Sequence, residues 1–207
     1  PLFRKLQRLA GIPLAAPSAN PFGYVSPTTA AHVRDGLGKR IRHILDGGPT
    51  RIGVESTIVD LRNPARPRLL RPGAVTREEL ARALGYPVPD ASRRKARPAQ
   101  AQLAPGMLAR HYSPRTPVTL HRRFPRNAPT TGDRREAWVY FASSTPRSAK
   151  NVFALTTNGD LRVAARRLFS VLRSLDARGF KRIHVELTPG GGLADAINDR
   201  LRRSASR

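Results

Sequence analysis

The chain has 207 residues, 39% of them hydrophobic, with 38 Lys+Arg against 14 Asp+Glu and a formal net charge of +24. That length allows one large domain or two small ones with a sizeable core; no apolar run approaches the roughly 18 residues of a membrane span, and the opening residues lack a signal-peptide pattern. Cysteine is absent, which excludes disulfides, thiolate catalysis and cysteine-ligated zinc, and five scattered histidines without HxxxH or HExxH spacing point to no dedicated metal site.

Residues 1 to 11 (PLFRKLQRLAG) set Leu2, Phe3, Leu6 and Leu9 on one helical stripe that Gly11 ends. Ile12 to Ala16 reads as a short apolar strand feeding the loop APSANPFGYVSPTTAAHV. Within it, Ser26-Pro27 has the form of an N-cap followed by proline at the first helical position, for a helix running to about Leu37. An apolar strand around Ile41 to Leu45 stops at Asp46-Gly47-Gly48-Pro49. Ser56 to Leu61 and Pro67 to Leu70 read as strands. Thr76-Arg77-Glu78-Glu79 opens a helix with capping-box spacing that ends at Gly85.

From residue 86 to 117 six prolines and the basic knot Arg93-Arg94-Lys95-Ala96-Arg97 break any sustained period, so this stretch reads as an extended linker between a unit over 1–85 and a unit over 118–207. Beyond it, strand-like runs at Val118 to Leu120, Ala137 to Ala142 and Ile183 to Leu187 alternate with helices near Asp160 to Arg178 and Leu193 to Arg203. Such alternation predicts a small α/β unit with a parallel-leaning sheet.

The loop is also a place for chemistry. Small residues around Ser18 and Asn20 let backbone amides approach a ligand, and Gly23 relaxes the steric limits further. Ser26 and Thr28 at a helix N-terminus offer hydroxyls and the positive end of a dipole, suited to a phosphate or carboxylate, or simply to capping. Ser56 in VESTIV and the strand-exit Arg71 in LLRPGA add a hydroxyl and a bidentate cation. The basic excess suits an anionic partner such as RNA, and equally a compositional bias toward arginine. With 6% aromatics there is little for base stacking.

Taken in order, APSAN-PFG, SPT, LDGGP, GVESTIVDL, LLRPGAVT and APGMLARHYSPRTPV resemble the threonylcarbamoyl-AMP synthase family in its two-domain form, and GFKRIHVELTPGGGLADAINDRL is similar to the end of its second domain. The resemblance implies an α/β architecture: part of a YrdC-like twisted-sheet domain, a linker, and a small Rossmann-like accessory domain. PLFRKL falls beyond the middle of the family's catalytic domain, so the chain is expected to be a fragment of a longer synthase. The implied activity joins L-threonine, bicarbonate and ATP, with magnesium, into threonylcarbamoyl-adenylate and pyrophosphate. A separate cytoplasmic transferase complex then carries the group to tRNA. By motif, the resemblance places Ser18, Ser26, Arg71 and Tyr112 at ATP, and Ala16 and Ser56 at threonine, with Asn20 as a helper. Tyr112 is implied as a lid from the linker. No residue is implied as a nucleophile or metal ligand. Ala31 departs from the family, which tends to carry an acidic residue there. The alternative is a basic RNA-binding module without catalysis, in which tRNA contact would be its whole function.

Overall fold

Two sheets organise the chain, seen in a computed structural model that describes residues 2–92, 111–124, 133–143 and 150–206. The larger sheet belongs to the C-terminal unit: β3 (Val118–His121), β4 (Glu136–Ala142), β5 (Val152–Thr156) and β6 (Arg182–Glu186) lie in the order β3-β6-β4-β5, every neighbouring pair parallel. Helix α4 (Leu161–Ala177), N-capped by Asp160, and helix α5 (Leu193–Ala205) cover one face. The pleat sorts β4 by side: Ala137, Val139 and Phe141 face those helices, while Trp138 and Tyr140 join Phe124 on the other face. Under the helices, Leu168, Phe169, Leu172, Ile183, Val185, Ile197 and Leu201 are buried to within 1% of full burial. Each is worth about 1.5–3 kcal/mol of transfer free energy. The expected parallel α/β unit is therefore present, with β5 as a strand that the sequence patterns did not single out.

The N-terminal unit carries β1 (Ile58–Asp60) antiparallel to β2 (Arg68–Arg71), then α3 (Arg77–Leu84). The capping box forms as the spacing predicts: Glu79 N donates to Thr76 Oγ1, and Thr76 N donates to the Glu79 carboxylate. Helix α1 (Leu2–Ala10) forms too, with its Leu2, Phe3, Leu6 and Leu9 stripe exposed.

Three local expectations need correction. Ile12 to Ala16 and Ile41 to Leu45 are not strands, because among the described residues neither run has a neighbouring strand to take its backbone hydrogen bonds. Helix α2 spans Ala30–Leu37 and is capped by Thr29, whose Oγ1 accepts from His32 N; Ser26 lies three residues outside and has a different partner. The segment after α3 also packs at its start. Leu69 N donates to Pro89 O and Ala91 N to Leu69 O, laying Asp90 beside β2. The knot at 93–97 and the run APGMLAR lie outside the described residues.

The two units are tied by buried polar contacts. From α4, the Arg173 guanidinium donates to the carbonyls of Val25 (2.6 Å) and His32 (2.9 Å). Tyr24 Oη donates to Asp176 at 2.6 Å, and burial with that carboxylate beside it pushes the phenol up to about 12. Gly53 (φ +88°) lies flat on α4: a Cβ there would sit 2.3 Å from Arg166 Cα and 2.4 Å from the Ala165 carbonyl oxygen. Gly53→Ala is expected to cost more than about 2 kcal/mol, since the left-handed backbone is strained before the clash is counted. A thermal melt together with limited proteolysis around residues 47–57 checks it. Among the described residues, no helix is long and apolar enough to cross a membrane.

Candidate active site

The loop Val54-Glu55-Ser56-Thr57 enters β1, and the turn Pro72-Gly73 leaves β2 directly across from it. Gly73 permits this approach, because a Cβ would stand 2.3 Å from Thr57 N and 2.6 Å from the Ser56 carbonyl carbon. Arg71, 8% exposed, then reaches back to Ser56: its Nε donates to the Ser56 carbonyl at 2.9 Å and its Nη2 to Ser56 Oγ at 3.1 Å. Ser56 itself is exposed, so this pair meets solvent.

Glu55 is the hub beside it. Ser26 Oγ donates to Glu55 Oε1 at 2.6 Å, which explains why Ser26 is not a helix cap. Arg200 of α5, a side chain with no exposure, donates from Nε to Glu55 Oε2 at 2.7 Å and from Nη2 to the Glu55 carbonyl at 3.3 Å. Its Nη1 donates to the Pro72 carbonyl (2.9 Å) and to Asp199 Oδ2 (2.8 Å). One guanidinium of the C-terminal unit thus holds both the EST loop and the RPG turn of the N-terminal unit. Burial works against its charge, yet Glu55 and Asp199 keep it more firmly protonated than a free arginine.

Tyr112 lies beneath this cation, its ring centroid 5.4 Å from the Arg200 guanidinium carbon and 5.4 Å from the Phe169 ring. It is 1% exposed and has φ +59°, the left-handed region that a bulky residue enters only under constraint. Its hydroxyl is buried without a hydrogen-bond partner among the described residues, and burial, then Glu55, push it upward from the usual phenol range. His111 packs edge-on against it at 4.1 Å, with Nδ1 likewise unpartnered.

The loop before Ser26 lies alongside this motif. Ser113 N donates to the Gly23 carbonyl, and the Phe22 ring lies 6.4 Å from His111. Asn20 shapes the loop by donating from Nδ2 to the carbonyls of Pro21 and Tyr24, while its Oδ1 is buried and unpartnered. Ala16 and Ser18 are exposed, and the Ser18 carbonyl accepts from Asn20 N. The contacts therefore unite Ser26, Ser56, Arg71 and Tyr112 around Glu55 and Arg200, and leave Ala16 and Ser18 on the open part of the neighbouring loop. Among the described residues, no cluster of three or more His, Asp or Glu side chains is placed to hold a metal ion.

Glu55, Arg200 and His111 were not singled out from the sequence. For Arg200 a signal existed: it falls on the same helical stripe as Ala196, Ile197 and Leu201, where a charge has no business unless it is paired.

Burial pulls the imidazole of His111 below the usual 6.5, helped by Arg203, Arg200 and Arg71 over the opposing pull of Glu55; burial likewise lowers His32 and His121. Folding then disfavours the protonated ring. Stability from these groups is complete above about 6.5 and is lost as pH falls through their depressed folded values. Melting temperature is expected to drop on acidification below that point, and less steeply in His111→Gln, which cannot titrate.

The family model described as threonylcarbamoyl-AMP synthase, C-terminal domain, matches residues 75–206, and one described as telomere recombination matches residues 1–73. The threonylcarbamoyl-AMP synthase of Bacillus subtilis (strain 168) is 36% identical over 221 residues, covering 99% of this chain and 60% of that protein. The crystal structure of Pyrococcus abyssi Sua5 complexed with L-threonine superposes with a TM-score of 0.81 at 34% identity, over 97% of this chain and 60% of the other. A second P. abyssi Sua5 structure, of a variant with a histidine and the adjoining tyrosine both changed to alanine, gives a TM-score of 0.79 at 33% identity over 97% and 59%. The chain thus spans about 60% of the length of the relatives it matches. With matches in chain order on both sides of residue 74 and a shared fold over nearly every described element, this chain belongs to the threonylcarbamoyl-AMP synthase family.

Proposed function

We propose that this chain takes part in making threonylcarbamoyl-AMP from L-threonine, bicarbonate and ATP, with release of pyrophosphate, for the modification of tRNA. The observation that carries this reading is that Ser26 bonds the Glu55–Arg200 pair while Arg71 holds the adjoining Ser56, beside a loop rich in small residues. The solved relative named as a complex with L-threonine supports an amino acid as one occupant.

The chemistry asks for positioning more than for a nucleophile. The threonine amine attacks carbon dioxide or bicarbonate to give a carbamate, and a carbamate oxygen attacks the α-phosphate of ATP while pyrophosphate leaves. A carboxylate and a triphosphate must then lie close together, and fixed cations offset their repulsion. Ser56 and the backbone of Ala16 are assigned to threonine. Ser18, Ser26, Arg71 and Tyr112 are assigned to ATP, and Asn20 to holding the loop. Tyr112 is the tyrosine of the sole His-Tyr step of this sequence, and an adjoining His-Tyr pair is what was replaced in the P. abyssi variant. Its hydroxyl has no partner among the described residues and suits a ligand oxygen. The hub offers no free carboxylate for a metal, since Ser26 and Arg200 occupy both oxygens of Glu55. Magnesium would enter with ATP on its phosphate oxygens and would offset charge on the leaving pyrophosphate. The product passes to a cytoplasmic transferase complex acting on tRNA.

The test is pyrophosphate release from ATP, measured on the protein as its own cell makes it. Release that requires both threonine and bicarbonate is expected. Release indifferent to threonine, or none with all three substrates present, would overturn the reading.

A further inference from the structure

A cavity with a volume of about 720 Å³ lies in the C-terminal unit. It opens where β3, β4 and β6 end at their carboxyl side, and its lining shares no residue with the Glu55 hub. In open parallel sheets this is the end at which ligands are bound, and the volume suits a small molecule.

Thr188, just after β6, lines this crevice. It is only 3% exposed, and its Oγ1 is buried without a partner among the described residues. Its backbone is already fixed on both sides: Thr188 N donates to Asn198 Oδ1 (2.9 Å), and Asn198 Nδ2 donates to the Thr188 carbonyl (2.8 Å). A rigidly held, dehydrated hydroxyl with nothing to bond among the described residues is rare in a folded chain, and the residue that carries it lines a cavity large enough to hold a partner. Three arginines, Arg122, Arg123 and Arg202, line the same space. The carboxylate of Glu186, the one acid among the described lining residues, accepts from Phe124 N (3.3 Å) and Phe141 N (3.2 Å), so it braces two strand ends. Phe124 and Tyr140, edge to face at 4.7 Å, supply an aromatic wall.

We propose that this crevice is a nucleotide site separate from the Glu55 hub. The phosphates lie among Arg122, Arg123 and Arg202, the base lies against the Phe124–Tyr140 wall, and the Thr188 hydroxyl hydrogen-bonds the ligand. A chain that consumes ATP at one site would thereby carry a second place from which a nucleoside phosphate bears on the docked units.

Equilibrium dialysis with labelled ATP and AMP, at physiological ionic strength and in the Arg71→Ala background, tests this apart from the synthase reading. One saturable site is expected to persist in Arg71→Ala. It should weaken at least about tenfold with Arg122→Ala plus Arg123→Ala, and by a similar factor with Thr188→Val, as loss of a ligand hydrogen bond implies. Thr188→Val should melt no lower than the parent, because it removes only an unsatisfied hydroxyl. An Arg71→Ala protein without saturable binding, or one whose binding ignores both crevice variants, would overturn the proposal. Binding that never saturates and vanishes with modest salt would do the same, since it marks attraction to net charge alone.

Discussion

Arg200→Leu is expected to destabilise the protein by about 3–5 kcal/mol, more than any other single substitution in the junction. The side chain has no exposure, and it is the cation between two carboxylates, Glu55 and Asp199. Leucine fills much of the volume but leaves the Glu55 carboxylate without its cation, Asp199 keeping only Arg203, and it strips the Pro72 and Glu55 carbonyls of their donor. At roughly 2–4 °C per kcal/mol for a chain of this size, the melting temperature falls by about 6–20 °C. Arg200→Lys keeps the charge and loses the fork, so it should fall between the two. A cycle with Glu55→Gln isolates the pair: Arg200→Leu should cost less once Glu55 is neutral, by about 1–3 kcal/mol of coupling. Melts within about 1 kcal/mol of the parent would show that the junction does not depend on this contact.

The physical range of each contact decides how much of this was legible. Capping of α3 by Thr76 and of α4 by Asp160 spans three residues or fewer, so the sequence announces it. The strands of the parallel sheet are short β-branched or aromatic runs between helices, and three of four are recognisable as such. Val152–Thr156 becomes a strand because β4 offers it a ladder, and Ile41 to Leu45 finds none among the described residues. Ser26 shows the same limit at the site. Its neighbours Pro27 and Thr28 suggest a cap, but Glu55, 29 residues on, holds its hydroxyl. Arg71 and Ser56 were both visible as candidates, because strand ends present polar groups to solvent. The Glu55–Arg200 pair spans 145 residues and two units, and no local pattern reveals a partner that distant.

Arg71→Ala is expected to lower kcat/KM for ATP by about 100-fold, the usual loss when one fixed donor is taken from a site of developing phosphate charge. The side chain has two duties that separate experimentally. Its guanidinium braces the Ser56 carbonyl and hydroxyl, so alanine also loosens the residue assigned to threonine. Under the proposed role, Arg71→Lys restores part of the ATP term by supplying a point charge, but not the planar double contact with Ser56. KM for threonine should then rise in both variants by a similar factor, while kcat/KM for ATP recovers only in lysine. Were Arg71 merely a brace, lysine and alanine would behave alike toward ATP, and Ser56→Ala would reproduce both. Recovery of ATP turnover in Arg71→Lys with threonine KM still raised is therefore the result that places phosphate charge at this guanidinium.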